Sequence, residues 1–271
     1  MSANTQRFKD IRMPEHCSPD AVPLFLRHLA AYSFALNYVK DKIVLDVGCG
    51  DGYGTALLAR EATRIVGIDL DPERIKAAQR QYLSDNITFL QMDIFRLNLE
   101  KECFDVVVGM QVVEHISNPP LFFDKIKYIL KPGGTLILST PNKKLRLGPR
   151  EKPFNPDHVR EYYRYEFETL LAQHFFRVQL FGIVGSQKAA EWERLRLHRN
   201  IISKIIKFDF LNLRRLIPKG LRKFARRYGW RERDEKRKLL APTIASEDFK
   251  VGDGDIDNAL DFIAVGQVKK F

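Results

Sequence analysis

The feature that most constrains this 271-residue chain is an alternation of short apolar, β-branched runs with longer segments of helical periodicity. The runs occupy residues 43–47, 65–68, 87–90, 104–109 and 135–139. Short continuous apolar runs of this type are typical of strands buried on both faces of a parallel sheet. Because the strands alternate with helices, we predict a doubly wound α/β fold with helices on both faces of a mostly parallel sheet.

Two further runs, at residues 177–184 and 260–268, complete a predicted seven-stranded sheet. The segment before the last strand reads as a basic, helical insertion with one helix at residues 189–208 and a shorter one around Ile217 to Tyr228. We therefore divide the chain into three parts. These are an N-terminal arm and helix that act as a lid (residues 1–40), a core domain (41–185 with 258–271) and the helical insertion (186–257).

The first strand leads into a glycine-rich turn, in the order Val44-Leu45-Asp46-Val47-Gly48-Cys49-Gly50-Asp51-Gly52. Glycine permits a positive φ and lets a ligand approach the backbone closely. A helix follows the turn, and the free N–H groups of a helix N-terminus attract ligands. A GxGxG pattern alone is weak evidence, but its strand–turn–helix context predicts a nucleotide-binding loop.

Acidic residues follow the next two strands. Asp69 lies 23 residues after Asp46, a spacing that places a carboxylate beside the ribose of a bound nucleotide. The alternative is a helix cap or a solvated loop acid. Asp93 could accept a hydrogen bond from an adenine amino group while Ile94 packs on the ring, or it could be an ordinary loop residue.

An NAD-dependent dehydrogenase is the competing nucleotide-binding class. Its GxGxxG turn accommodates a pyrophosphate. Here the glycines alternate, and Asp46 precedes them. A carboxylate at this place would repel a pyrophosphate and suits a cationic amino-acid group, which argues against the dehydrogenase.

Five motifs resemble those of the class I S-adenosylmethionine-dependent methyltransferases, whose Rossmann-like sheet has seven strands. They are LDVGCGDG at 45–52, GIDLD at 67–71, MDIF at 92–95, FDVVVGMQVVEHI at 104–116 and LKPGGTLILSTPN at 130–142. The resemblance covers about residues 40–185 plus the final strand, and is strongest to type 11 and type 23 domains found with glycan-biosynthesis enzymes. It implies S-adenosylmethionine as the cofactor.

The resemblance also implies which residues bind this methyl donor. Asp46 and the glycines would surround its methionyl part and sugar, Asp69 would hold the ribose, and Gln111 would line the donor near the sulfonium. The complete implied set is Asp46, Gly48, Cys49, Gly50, Gly52, Asp69, Leu70, Asp93, Ile94, Gln111 and Val112.

Two histidines are the candidate catalytic residues, because methylation of a hydroxyl requires a general base. His115 follows the fourth strand and could be a structural hydrogen bonder, a base or a metal ligand. In quinone-type O-methyltransferases the similar segment carries acid-x-x-acid-His. Gln111 replaces the first acid here, so no metal site is assigned. His158 lies in the loop that usually forms the acceptor side, as a base or as a loop anchor. His16 could belong to a lid.

The segment Asn118-Pro119-Pro120-Leu121 needs a separate interpretation, because amino-methylating enzymes of DNA and RNA carry an acid/amide-Pro-Pro-aromatic motif. Here the tetrapeptide ends in Leu121 and begins nine residues after Gly109. We interpret it as the start of the next helix.

The net charge of +11 is unevenly distributed. Residues 188–240 carry a net charge of +12, and the remainder of the chain carries −1. Three interpretations remain open for this basic segment: a solvated helix over the acceptor pocket, a surface facing anionic lipid or a lipid-linked sugar, or a nucleic-acid contact.

We expect an enzyme that methylates a small-molecule or glycan-type acceptor at oxygen. The alternatives are an RNA methyltransferase, or a non-catalytic protein whose basic insertion docks on nucleic acid or membrane; a nucleic-acid partner is the less expected. No apolar run is long enough to span a membrane, and the N-terminus does not resemble a signal peptide. The expected location is the cytoplasm, with peripheral contact at the inner face of a membrane left open.

Overall fold

The computed structural model describes most of the chain, and of residues 198–207 it describes the backbone alone. The described residues are 11–14, 17–96, 99–147, 151–153, 155–207 and 233–270. Eight strands run through them: β1 (Ile43–Val47), β2 (Arg64–Asp69), β3 (Ile87–Gln91), β4 (Phe104–Met110), β5 (Leu130–Pro141), β6 (Phe176–Gly185), β7 (Phe249–Gly252) and β8 (Asp261–Gln267).

The helices connect and cover these strands. They are α1 (Val22–Val39), α2 (Tyr53–Leu58), α3 (Pro72–Gln81), α4 (Pro119–Ile129), α5 (Lys143–Arg146), α6 (Arg164–Ala172), α7 (Gln187–Lys207) and α8 (residues 233–240).

The strands form one sheet in the order β3-β2-β1-β4-β5-β8-β6-β7. The pairs among the first five strands are parallel, whereas β8 runs antiparallel to both β5 and β6, and β7 runs antiparallel to β6. The order reverses direction at β1, so the carboxyl ends of β1 and β4 open the crevice in which doubly wound sheets bind ligands. The predicted mostly parallel α/β fold is confirmed.

The structure has eight strands where the sequence analysis predicted seven. The additional strand, β7, pairs only with the edge of β6. It lies in the part of the chain assigned to the helical insertion, where its sequence Phe-Lys-Val-Gly is short and its neighbours are polar. Pairing with an existing edge, rather than intrinsic strand propensity, makes this segment extended.

The sheet has a separate apolar core on each face. Adjacent residues of β1 show why: Val44 packs into the core beneath α1, α2 and the start of α7, whereas Leu45 packs into the core beneath α4 and α6. Successive side chains of a strand point to opposite faces. An almost continuous apolar strand is therefore what a sheet covered on both faces requires.

Two helix starts are capped by polar side chains. The carboxylate of Asp71 caps α3 by accepting a hydrogen bond from the N–H of Glu73 at 2.9 Å. The side chain of Asn118 caps α4 by accepting from the N–H of Leu121 at 3.2 Å, and Pro119 takes the first helical position. The Asn-Pro-Pro-Leu segment is therefore the start of a helix.

The helices in the described ranges include none with the combined length and apolarity that a bilayer crossing requires.

Candidate active site

The loop between β1 and α2 is held open by glycines with left-handed backbone. Gly48, Gly50 and Gly52 have φ angles of 68°, 53° and 81°. A Cβ atom on Gly48 would lie 2.7 Å from Cγ2 of Val112, so a larger residue would collide with the segment after β4. Both the backbone conformation and the available space therefore require glycine in this loop.

Asp46, at the end of β1, is fully buried and hydrogen-bonded. Its carboxylate accepts hydrogen bonds from the hydroxyls of Thr55 at 2.6 Å and Tyr32 at 3.2 Å. Burial raises the pKa of Asp46 to about 7, although the two hydroxyls act in the opposite direction. No ion pair with a cationic side chain is found for this carboxyl among the described residues, so burial is not offset by an opposite charge.

Asp69, at the end of β2, supports the glycine loop. Its two carboxylate oxygens accept hydrogen bonds from the N–H groups of Gly50 and Asp71, each at 2.9 Å. Since Asp71 caps the following helix, Asp69 does not have the helix-cap role. The next residue, Leu70, is 66% exposed.

The third acidic position, Asp93, forms a tight turn after β3. Its carboxylate accepts a hydrogen bond from the N–H of Phe95 at 2.9 Å, which is an ordinary loop interaction. Ile94 is buried beside it. These contacts leave the expected adenine contact a prediction.

Gln111 follows β4 with a positive φ of 58°, which is unusual for a residue other than glycine. Its backbone N–H donates to the carbonyl oxygen of Ser139 on β5 at 3.0 Å, and its side-chain amide lies 3.2 Å from the Ser139 hydroxyl. Val112, next to it, is buried against Gly48.

A cleft of about 470 Å³ lies beside the glycine loop and contains both candidate catalytic histidines. The sequence-predicted residues that line it are Gly48, Cys49, Gly50, Gln111, His115 and His158. The other predicted residues flank the ends of β1 to β4 without lining this cleft: Asp46, Gly52, Asp69, Leu70, Asp93, Ile94 and Val112.

His115 is held by the loop that carries the second histidine. Its Nδ1 lies 2.9 Å from the carbonyl oxygen of Asp157. A carbonyl oxygen can only accept, so Nδ1 carries the proton and Nε2 presents a lone pair. Burial, ahead of other causes, lowers the pKa of His115 and favours this neutral form.

His158 is oriented by a buried carboxylate. Its Nδ1 lies 3.0 Å from Oε1 of Glu161, which is itself 1% exposed and forms an ion pair with Arg146 at 3.2 Å. The rings of His158 and His115 meet edge to face with their centroids 4.7 Å apart. The fold therefore joins two histidines that are far apart in the sequence.

These histidines and Glu114 offer potential ligand atoms within 4.8 Å of one another. Glu114 is fully buried, accepts a hydrogen bond from the Thr140 hydroxyl at 3.1 Å, and has a pKa raised to about 8 by burial. A carboxyl that retains its proton at neutral pH is a poor metal ligand. The expectation of no metal stays a prediction.

The sequence analysis missed the residues that complete the cleft from α1, α5 and α7. Tyr32 and His28 come from α1, and the His28 ring lies 3.2 Å from the Tyr53 hydroxyl. The one available signal was Arg27, a charged residue within the apolar stripe of a predicted helix. The missed lining residues include Arg27, His28, Tyr32, Tyr53, Arg146 and Arg196.

Two predictions fall outside the described residues. His16, the candidate lid residue, is one of them. The other is the shorter basic helix from Ile217 to Tyr228, which belongs to the undescribed residues 208–232. The three interpretations of the basic segment therefore stay predictions.

Comparison with known proteins agrees with this geometry. Residues 45–138 match the model of a type 11 family described as a methyltransferase domain. A Mycolicibacterium smegmatis protein named as a probable S-adenosylmethionine-dependent methyltransferase is 27% identical over 271 residues, which cover 93% of this chain and 97% of that protein.

Two other matches concern part of the sequence and the fold, respectively. The ubiquinone biosynthesis O-methyltransferase of Rattus norvegicus is 41% identical over 106 residues, but these cover only 37% of this chain and 31% of that protein. A crystal structure of a methyltransferase from Thermotoga maritima shares the fold, with a TM-score of 0.58 at 14% identity, over 92% of this chain and 93% of that one.

The sheet order, the glycine loop at the end of β1 and the adjoining cleft define a protein of the class I methyltransferase fold. With the sequence matches, the chain is a class I S-adenosylmethionine-dependent methyltransferase. It is an enzyme, and S-adenosylmethionine is its cofactor.

Proposed function

We propose that the protein methylates a hydroxyl oxygen of a small-molecule or glycan-type acceptor. The observation that carries this proposal is the pair of histidines in one cleft: His158, oriented by buried Glu161, faces His115 beside the glycine loop. A histidine oriented by a carboxylate is the arrangement that general-base catalysis uses.

The donor end of the site suits S-adenosylmethionine. Asp46 is buried without a cationic partner in the described structure, so the positive charge of the methionyl part would stabilise its ionised form. We assign the ribose to Asp69, whose oxygens retain lone pairs beyond the two backbone bonds. When bound, the donor supplies a methyl group made electrophilic by the sulfonium.

At the acceptor end, the two histidines have different roles: one accepts a proton and the other positions the hydroxyl. The Nδ1 proton of His158 is directed at the Glu161 carboxylate, which leaves Nε2 free to take the proton of an acceptor hydroxyl as the new oxygen–carbon bond forms. Glu161 then faces the imidazolium and stabilises its charge. His115, whose Nε2 also presents a lone pair, would position the same hydroxyl.

The three parts into which we divide the chain also have proposed roles at the acceptor end of the site. Residues of α1, within the N-terminal part, and of α7, at the start of the 186–257 insertion, line the cleft together with the core domain. We propose that these two parts form the cap over the acceptor. The partial match to the rat O-methyltransferase supports oxygen as the methylated atom.

The test is methyl transfer from a labelled donor to a panel of nucleotide sugars, lipid-linked sugars and quinone precursors. We expect an O-methylated product, identified by mass spectrometry and by its resistance to further methylation. Transfer only to nitrogen or carbon acceptors would refute the proposal.

The base assignment has its own kinetic test. His158→Ala should lower kcat by about 100-fold or more, as expected for loss of a general base, with unchanged affinity for S-adenosylhomocysteine. The matched control is His174→Ala, because His174 packs on the ring of Phe123 and does not line the cleft. Wild-type kcat in His158→Ala would exclude a catalytic role.

A further inference from the structure

Three arginines from separate parts of the chain converge on the cleft that holds the histidines. Arg27 comes from α1, Arg146 from α5 and Arg196 from α7. Their side chains are 2%, 7% and 22% exposed. Burying a guanidinium is costly unless it is paired, so three of them around one cleft require an explanation.

The carboxylates that pair with these arginines do not line the cleft. Arg27 forms ion pairs with Asp261 at 2.9 Å and Glu193 at 3.3 Å, and Arg196 lies 2.5 Å from the same Glu193. Glu193 and Asp261 are at most 5% exposed and are absent from the described lining of the cleft. The same holds for Glu161, the partner of Arg146. The arginines, rather than their counterions, therefore border the cavity.

The pairing also leaves donor capacity unused. Nη2 of Arg27 is buried and has no hydrogen-bond partner among the described residues. A guanidinium has five N–H donors in a fixed fork, which matches the oxygens of a carboxylate or phosphate. A buried donor without a partner is unfavourable and is satisfied when such a group binds.

Among the charged side chains that line the cleft, arginines outnumber aspartates. Four arginines line it, with Arg74 as the fourth, against the two aspartates Asp51 and Asp157. The pKa of His28, which also lines the cleft, responds to this positive charge. It is lowered to about 3, first by burial and then by Arg27 and Arg196, while Glu193 acts in the opposite direction. A cationic acceptor group is therefore disfavoured there.

We propose that the acceptor carries an anionic phosphate or carboxylate group, bound by Arg27, Arg146 and Arg196 beside the two histidines. This inference rests on the proposed function, because it places the anion next to the hydroxyl that is methylated. It narrows the acceptor class to anionic molecules and excludes neutral glycans. If the arginines only anchor the cap to the sheet, no anion binds and the test below shows it.

The test uses Arg196→Gln, because Glu193 keeps Arg27 as its partner in this variant. Arg194→Gln is the matched control: Arg194 lies on the same helix and pairs with Glu191 three residues earlier, but it is 59% exposed and does not line the cleft. The affinities for pyrophosphate and for malonate are measured by calorimetry with S-adenosylhomocysteine present. The two probes distinguish a phosphate group from a carboxylate group.

We expect wild type and Arg194→Gln to bind at least one of the two anions, and Arg196→Gln to bind it about tenfold more weakly or worse, as for loss of a charge-assisted hydrogen bond. Absence of binding of both anions to wild type, or equal affinity in Arg196→Gln, would overturn the inference. S-adenosylhomocysteine affinity, measured first, verifies that each variant is folded.

Failure of this inference is distinguishable from failure of the proposed function. Anion binding without any transfer to hydroxyl acceptors would remove the proposed O-methylation. Transfer to a neutral hydroxyl acceptor without anion binding would remove only the anionic acceptor class.

Discussion

A buried carboxyl at the end of β1 makes the stability of the protein depend on pH. Burial raises the pKa of Asp46 to about 7, whereas an aspartate in the unfolded chain has a pKa of about 3.9. Between these values the folded state holds a proton that the unfolded state has lost. The stabilisation is complete below pH 4 and is lost as the pH rises to about 7.

We therefore expect Asp46→Asn to flatten the pH dependence of the free energy of unfolding, measured with urea without donor. The wild type should lose about 1.4 kcal/mol per pH unit more than the variant between pH 4 and pH 7. The two proteins should differ least at pH 4, and the variant should be the more stable at pH 8. Parallel curves across this range would contradict the buried, protonated Asp46.

Asp69 provides a second test at the residue scale. Asp69→Ala should weaken the binding of S-adenosylhomocysteine by about 1–3 kcal/mol, since a charged acceptor for the ribose is lost. The variant also loses the bond that holds the N–H of Gly50. Calorimetry measures the affinity, and the control is Asp85→Ala, an exposed acid before β3. Equal affinity in Asp69→Ala and wild type would reject the ribose assignment.

At the scale of elements, α1 packs closely against α2 because a glycine of α2 lies at the contact. A Cβ atom on Gly54 would lie 2.0 Å from the Tyr32 ring, whose hydroxyl binds Asp46. The Tyr32 ring is buried and meets the ring of Tyr53 edge to face, with the two ring centroids 5.9 Å apart. The closeness of the two helices thus places Tyr32 on the donor side of the site.

Gly54→Ala should therefore destabilise the protein by about 1–3 kcal/mol, because overpacking outweighs the better helix propensity of alanine. Donor affinity should fall as well, since the ring that binds Asp46 is displaced. The control is Gly252→Ala, where an added Cβ meets nothing within 4 Å. A denaturation midpoint for Gly54→Ala equal to that of the control would show that the helices can separate at no cost.

At the scale of the whole molecule, Arg27 joins three distant elements. It extends from α1 to Glu193 of α7 and to Asp261 at the start of β8. Arg27 therefore links the N-terminal helix α1 to the beginning of the insertion and to the last strand, next to the cleft. Because a buried ion pair adds little net stability, we expect this network to fix the relative positions of the three elements.

Removing this arginine should be costly. Arg27→Met leaves buried Asp261 without its ion-pair partner and leaves Glu193 with Arg196 alone. We expect a loss of about 3–5 kcal/mol in the free energy of unfolding. The double variant Arg27→Met/Asp261→Asn should recover part of that loss. Arg164→Met, which breaks an exposed pair with Asp257, should cost about 0–1 kcal/mol. If Arg27→Met lowered the free energy of unfolding as little as this control, the network would not be needed for stability.

Sequence reasoning succeeded where the information is local. The first strand, its terminal Asp46 and the alternating glycines are recognisable because backbone conformation and periodicity are written in neighbouring residues. It failed at β7, whose four residues become a strand only by pairing with β6. It also left the roles of Asp69 and Asp93 open, since a loop acid and a ligand-binding acid look the same in a sequence.

The sequence by itself determined the α/β class of the fold, the glycine loop and the positions of its flanking acids, because each depends on residues a few positions apart. Only the tertiary structure decided that His115 meets His158 and that Arg27, Arg146 and Arg196 surround one cleft. Those contacts depend on the order of strands in the sheet and on long-range burial. Burial also sets the pKa values of Asp46 and Glu114, and no local pattern specifies how deeply a side chain is enclosed.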